Sequence, residues 1–404
     1  MRVGLRHANG GWAGDRGPAG GTANGLGSVR RRPLGRLDLS DPGRGRLRQR
    51  GRLSDDDYAA AGAEIVRSGE PYGRAQVVAC VNAVGRLARL RNGQIVIGTL
   101  QPGRHRALME HWLRRGVIMI SLDRAVRAAG APGIDPTLTQ ARITGRQAVL
   151  LAERHFGGSF PMMAPDGQVR PVSLLVLGAG MVGLQGMSTA RLLGADVTGY
   201  SGRPGGPAAI AARGAHFLRL GASLISQDGV RRVRRELGDQ ERVARRHALD
   251  IRVGQFDVVI TAAGAPSDRP PRLVSVEAIE RMRPGLVIID VAAGQYGGNV
   301  AGSRPGRTIT VPPGVRLIGA TNLPSQAPGL ASEYYSDNMV AALCRLCSTG
   351  EPLVELGDPL WSGMVLGHED RPVRPDPVVS VPLQRPTPER SPRCTPVSLP
   401  APAK

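Results

Sequence analysis

Lysine is nearly absent from this 404-residue chain: Lys404 is the only one. The net charge of +20 is therefore carried almost wholly by arginine, a bias that reads as the codon usage of a GC-rich gene rather than as a selected basic patch. Residues 1–53 alone hold 12 arginines against three aspartates. Aromatic residues make up only 3%, and no recognition motif accompanies the arginines. That leaves no base-stacking platform, so nucleic-acid binding is not expected. No run of about 18 apolar residues exists, so no membrane span is expected. The N-terminus is rich in arginine and glycine and has no apolar stretch of the kind a secretory signal needs. Four cysteines without a spaced framework fit a reducing, cytoplasmic setting. The histidines, at 7, 105, 111, 155, 216, 247 and 368, show no metal-ligand spacing, and no metal is expected. Cys344 and Cys347 form a lone C-x-x-C without a second ligand pair, and they read as core of an apolar helix end.

What is abundant is glycine, 55 residues of it, and one cluster is organised. Residues 172–177 form an apolar run of strand character. Gly178, Ala179, Gly180, Met181, Val182 and Gly183 follow as G-x-G-x-x-G. A helical segment then runs to about 193, and residues 196–201 form a second strand. Strand, tight turn, helix and strand at this spacing are the signature of a dinucleotide site. The first glycine permits the turn, the second lets a pyrophosphate approach the backbone, and the third lets helix and strand pack closely. The N–H groups and dipole of the helix end would hold the negative charge.

Around this unit the chain alternates short strands and helices, which predicts parallel α/β layers. Residues 1–5 start as a strand, and residues 6–53 lack any periodicity and are expected to be irregular or disordered. They also read like a GC-rich gene translated out of frame, which translation of the other frames would test. A helix start is expected at residues 54–57. Strands are expected at 75–81, 94–99 and 117–122, a helix at 104–115, a Gly/Pro-rich loop at 124–140 and a helix at 141–156. Further strands are expected at 216–220, 256–262, 286–292 and within 311–320, with helices at 229–249 and 330–347. The proline-rich residues 348–404 are expected to be an extension ending in a disordered tail.

Between about residues 55 and 346 the chain resembles a known family: the NAD(H)-binding alpha subunit of proton-translocating NAD(P) transhydrogenase, related to alanine dehydrogenase. The resemblance is carried by YAAAGAEIV at 58–66, RGVIMISLD at 115–123 and the long segment from FPMMAPDGQV through GAGMVGLQG to ADVTGY at 160–200. It continues with FDVVITAA at 256–263, GLVIIDVAAGQYGGNV at 285–300 and LIGATNLP at 317–324. It implies an α/β chain of two Rossmann-like domains with parallel sheets, the dinucleotide-binding domain (141–317) inserted in the other (54–140 with 318–347). The cofactor implied is NAD(H). Gly178, Ala179, Gly180, Met181, Val182, Gly183, Ser201, Gly202, Arg203, Ala263 and Gly264 would contact it. The implied partners are an NADP(H)-binding beta subunit and a proton-conducting membrane component on separate chains, with a second copy of this chain as a homodimer. The implied location is the cytoplasmic face of the membrane, reached through those partners. Hydride would pass directly between nicotinamides, so positioning the rings is the catalytic work.

The sequence departs from the family at several points. In the loop that positions the nicotinamide, Arg127 and Asp135 stand in place as the catalytic candidates, while Pro132 takes a glutamine position and Leu138 and Arg146 replace a serine and a tyrosine. Ser201 stands where an acid normally accepts hydrogen bonds from the adenosine ribose. A serine beside Arg203 also suits a 2′-phosphate, but family members that bind NAD often carry an arginine here, and NAD(H) is the expectation. The mobile Gly-Tyr loop is not recognisable in 226–237. Gly264 and Ala265 replace bulkier cleft residues, while Asp290, Gln295, Gly298 and Asn299 match a loop bordering the nucleotide or form a structural turn.

Two other readings stay in view. Alanine dehydrogenase chemistry requires a lysine and a histidine, and Cys80 and Gln101 stand near those places, so it is disfavoured. A divergent copy that binds nucleotide without turnover is the alternative.

Overall fold

The computed structural model describes residues 3–6, 37–38, 60, 65–66, 75–82, 90–103, 105–127, 133–157, 160, 171–220, 239–264, 270–294, 296–347, 353–354, 358–366 and 379–380. The chain divides into two compact units, residues 1–140 with 327–404 and residues 141–326.

The first unit is built on strands β1 (Val3–Arg6), β2 (Leu37–Asp38), β3 (Ile65–Val66), β4 (Val77–Asn82), β5 (Ile95–Thr99) and β6 (Ile118–Ser121). They pair in parallel in the order β6-β5-β4-β1-β2-β3. Strands β4 and β5 are β-branched runs buried on both faces, as a central parallel strand must be. Alternation sends Val77, Ala79, Ile95 and Ile97 to one face, and Val78, Cys80 and Val96 to the other, against Met109 and Trp112 of helix α1 (Arg106–Arg114).

A 20-residue helix, α2 (Pro136–His155), carries the chain into the second unit. There β7 (Ser173–Leu177), helix α3 (Met181–Leu192) and β8 (Asp196–Tyr200) form the glycine-turn unit. Helix α4 (Gly206–Ala211), β9 (His216–Phe217), helix α5 (Asp239–Val253), β10 (Val258–Thr261), helix α6 (Val276–Glu280), β11 (Val287–Asp290), β12 (Thr308–Val311) and β13 (Val315–Gly319) complete it. The sheet order is β12-β13-β11-β10-β7-β8-β9, parallel except for the β12–β13 hairpin. One face packs on α2 and α3 through Val149, Ala152, Met187 and Ala190. The other packs on α5 and α6 through Leu249, Val253, Ala278 and Ile279.

The returning chain forms α7 (Pro328–Leu346), β14 (Leu353–Val354), α8 (Pro359–Met364), β15 (Val365–Leu366) and β16 (Val379–Ser380). Helix α7 lays Tyr335, Met339 and Leu343 on the first sheet, joined by Trp361 of α8. Strand β15 adds antiparallel to β6, and β14 pairs β16.

The α/β class with two Rossmann-type sheets is the one the sequence implies. Several local expectations are corrected. Strand β1 falls where a strand start is expected, and β2 beside it places a short strand within residues 6–53, which are expected to be irregular. Helix α2 starts at Pro136 rather than 141, because the Asp135 carboxylate accepts hydrogen bonds from the N–H groups of Thr137 (2.8 Å) and Leu138 (3.3 Å). A 3₁₀ turn, Leu122–Arg127, opens the segment expected to be loop. The second unit runs to Gln326, and β13 in it is hydrogen-bonded to β11. Within the expected extension, residues 358–366 form α8 and β15 and place Trp361, 2% exposed, in the core. Residues 54–57 lie outside the described residues, and so do residues 226–237.

Candidate functional site

In each sheet the strand order reverses at one place. In the second unit it lies between β7 and β10, where β8 and β9 continue to one side and β11 and β13 to the other. The crevice outside the carboxyl ends of strands at such a switch point is where open α/β sheets bind ligands. Leu177 and Thr261, the last residues of β7 and β10, are paired there, and the Ala262 N–H continues the ladder to the Leu177 carbonyl at 2.9 Å.

The three glycines of the turn have three different surroundings. Gly178 has φ 128°, a conformation only glycine takes easily, and a Cβ there would lie 2.7 Å from the Ala262 carbonyl oxygen. Its N–H donates to the Tyr200 carbonyl at 2.8 Å, tying the turn to β8. Gly183 is buried, and a Cβ there would overlap the Gly178 carbonyl. Gly180 is the opposite case. It caps α3 with φ −80° and ψ 179° and no side-chain bond, and nothing lies within 4 Å of where its Cβ would be. The turn is thus closed below by Gly178 and Gly183 and open above at Gly180. The backbone N–H groups at the start of α3, around Met181, Val182 and Gly183, face that opening without earlier carbonyls in their own helix. A pyrophosphate fits this cradle by both shape and charge.

The Ser201–Arg203 segment follows β8 on the same edge. Ser201 is 6% exposed, and its Oγ accepts a hydrogen bond from the Arg203 N–H at 3.2 Å. Gly202 and Arg203 are exposed. One residue that the sequence does not single out comes here: Arg245 of α5. Its Nη1 lies 3.8 Å from a Cβ placed on Gly202, and it hydrogen-bonds the Tyr200 hydroxyl. Burial raises the Tyr200 pKa, while the charge and hydrogen bond of Arg245 act the other way. In the sequence Arg245 sits in an arginine-rich helix that reads as a solvated face, and only the fold separates it from its neighbours.

Ala263 and Gly264, after β10, form the other wall. Asn299 pins Ala263 at both ends: its Oδ1 accepts from the Ala263 N–H (3.0 Å), and its Nδ2 donates to the carbonyls of Ala263 and Pro271, each at 2.7 Å. Asp290, at the end of β11, is fully buried. Its Oδ1 accepts from the Thr261 hydroxyl (2.9 Å), Ala292 N–H (3.1 Å) and Asn299 N–H (3.3 Å), and its Oδ2 from Val300 N–H (3.1 Å). A Cβ on Gly298 would overlap that carboxylate. These hydrogen bonds hold the loop together. Gln295 lies outside the described residues.

The glycine turn, Ser201–Arg203 and Ala263–Gly264 therefore converge on one sheet edge. Arg127 and Asp135 belong to the other unit. Arg127 ends the 3₁₀ turn, and its side chain lies outside the described residues. Asp135 is 6% exposed and caps α2, so it is not a free surface charge. Among the described residues no group of three or more His, Cys, Asp or Glu could hold a metal ion, and no helix is long and apolar enough to cross a membrane.

Fold and site together define an α/β protein of the Rossmann type, with a glycine-turn crevice shaped for a dinucleotide. Comparison with known proteins narrows the class. Residues 46–143 match the alanine dehydrogenase/PNT N-terminal domain and residues 146–371 the alanine dehydrogenase/PNT C-terminal domain, so the chain belongs to the alanine dehydrogenase/PNT family. It is 29% identical over 333 residues to the NAD(P) transhydrogenase subunit alpha of Haemophilus influenzae, covering 80% of this chain and 64% of that protein. It is also 30% identical over 325 residues to the NAD(P) transhydrogenase subunit alpha of Cereibacter sphaeroides, covering 78% of this chain and 62% of that one. The chain thus spans a little under two thirds of the length of these two relatives. Among solved structures, the transhydrogenase from Sinorhizobium meliloti superposes with a TM-score of 0.70 at 25% identity, over 92% of this chain and 99% of that one.

Proposed function

We propose that this chain is the NAD(H)-binding component of a proton-translocating NAD(P) transhydrogenase, passing hydride between its own NAD(H) and NADP(H) on a partner subunit. The observation that carries the reading is the contrast within the glycine turn, where Gly178 and Gly183 have no room for a side chain and Gly180 has open space. That pattern is expected of a cradle whose middle glycine faces a ligand. The bound dinucleotide supplies the hydride. The chain's own role is to grip the pyrophosphate at α3, hold the ribose at Ser201–Arg203 and wall the crevice with Ala263 and Gly264. Arg127 and Asp135 orient the nicotinamide in this reading. The name "subunit alpha" carried by the relatives supports a beta-subunit partner; a membrane component on another chain, and with it a place at the cytoplasmic face of the membrane, belong to the proposal. A homodimer belongs to the same proposal.

One observation favours a second reading, a copy that binds nucleotide without turnover. The Asp135 carboxylate is engaged as the cap of α2, which ties up an oxygen the first reading gives to the nicotinamide loop. A fluorescence titration with NADH, followed by addition of an NADP(H)-binding component and assay of hydride transfer, separates the two. Binding with transfer is the expected result. Binding without transfer establishes the second reading, and absence of binding overturns both.

A further inference from the structure

The end of β8 sets which adenosine ribose a dinucleotide site admits. An acid there accepts from the 2′-hydroxyl and repels a 2′-phosphate, whereas a nearby arginine accommodates the phosphate. Here the residue after the strand is Ser201, a neutral side chain whose Oγ accepts from the Arg203 N–H within its own turn. Ser201 also packs so tightly on Gly206 that a Cβ on that glycine would lie 2.5 Å from the serine Cβ. Among the described residues the charged side chain that reaches this turn is a cation. Arg245 reaches across from α5 to the Tyr200 hydroxyl and the flank of Gly202, and Arg203 is exposed on the same turn. An arginine fork is well matched to a phosphate.

We propose that Arg245, with Arg203, makes this ribose site tolerant of a 2′-phosphate, so that the chain binds NADP(H) as well as NAD(H). Arg245 is then a specificity-determining residue contributed from α5, outside the glycine-turn unit. The proposal rests on reading residues 178–183 as a dinucleotide cradle.

The test is a titration of the full chain with NADH and with NADPH, following nicotinamide fluorescence, for the natural sequence and two variants. For the natural sequence the two dissociation constants should lie within about threefold of each other. Arg245→Gln should weaken NADPH about tenfold or more while changing NADH by less than about threefold. Ser201→Asp, which restores an acid, should weaken NADPH and leave NADH bound equally or more tightly. A natural protein that prefers NADH by more than about tenfold overturns the proposal, and so does an Arg245→Gln effect equal on both nucleotides. If the glutamine variant does not fold, the Ser201→Asp comparison decides alone. Failure to bind either nucleotide is a different outcome, which overturns the cradle itself and this inference with it.

Discussion

Adding one methyl group to each of two glycines in the turn should separate folding from binding. Gly183→Ala places a Cβ against the Gly178 carbonyl oxygen, a backbone atom that cannot move aside without shifting β7 or α3. Overpacking of this kind costs about 1–3 kcal/mol. For a unit of this size each kcal/mol is worth about 2–4 °C, so the melting temperature should fall by about 2–12 °C. Gly180→Ala meets nothing within 4 Å and keeps an ordinary φ of −80°. Alanine loses less chain entropy on folding, a gain of about 0.4–1 kcal/mol. It is a poorer helix cap than glycine by about the same amount. The two effects offset, and the melting temperature should move by less than about 3 °C. The same methyl group fills the opening through which a pyrophosphate reaches the backbone, and NADH affinity should drop about tenfold or more, about 1.4 kcal/mol. Differential scanning calorimetry and nicotinamide fluorescence titration on both variants provide the two readouts. Unchanged affinity in Gly180→Ala would refute the cradle, and an unchanged melting temperature in Gly183→Ala would refute the packing argument.

Other regions of the site yield their own tests. Asn299→Ala leaves the part-buried Ala263 N–H and two carbonyls without their partner, at a cost of about 1–3 kcal/mol, and thermal melting should show it directly. Asp135→Ala removes the cap of α2 and should cost about 0.5–2 kcal/mol, whereas Asp135→Ser should recover most of it; equal losses would show that the capping bonds do not matter. Tyr335 is buried, and its hydroxyl donates to the Cys80 carbonyl at 2.8 Å. Burial pushes its pKa far above the ordinary phenol value. A pKa raised in the folded state contributes stability that is complete below the unfolded value of about 10 and is lost as the pH rises beyond it. Tyr335→Phe should therefore lower stability at neutral pH and flatten its decline above about pH 10, measured by denaturant titration across that range.

The strands of the nucleotide unit are legible because they are short apolar runs, as at residues 174–177, where the run ends at Gly178. The two main misses share one cause. Asp135-Pro136 and Asp358-Pro359 resemble loop punctuation, yet an acid at the cap and a proline in the first helical position are a start signal. In both places the aspartate accepts from backbone N–H groups and a helix follows. The strand expected within 311–320 is β13, whereas β12, ahead of Pro312-Pro313-Gly314, is not read from the sequence; the two pair as a hairpin. At the site, the glycine pattern conveys the phosphate end. Arg245 is hidden, because its placement depends on how α5 packs on the sheet and not on any spacing. Asn299 matches a loop, but its grip on Ala263 joins residues 36 positions apart, which no local pattern encodes.

Isotope tracing shows whether this chain presents NADH to NADP on another subunit. NADH carrying deuterium at the transferable C4 position is supplied to the chain together with an NADP(H)-binding transhydrogenase component and NADP. The expected product is NADPH that carries the deuterium, with none released to water, and at limiting NADH its rate of formation should fall about tenfold in Gly180→Ala. Binding of NADH with no labelled NADPH would contradict that role.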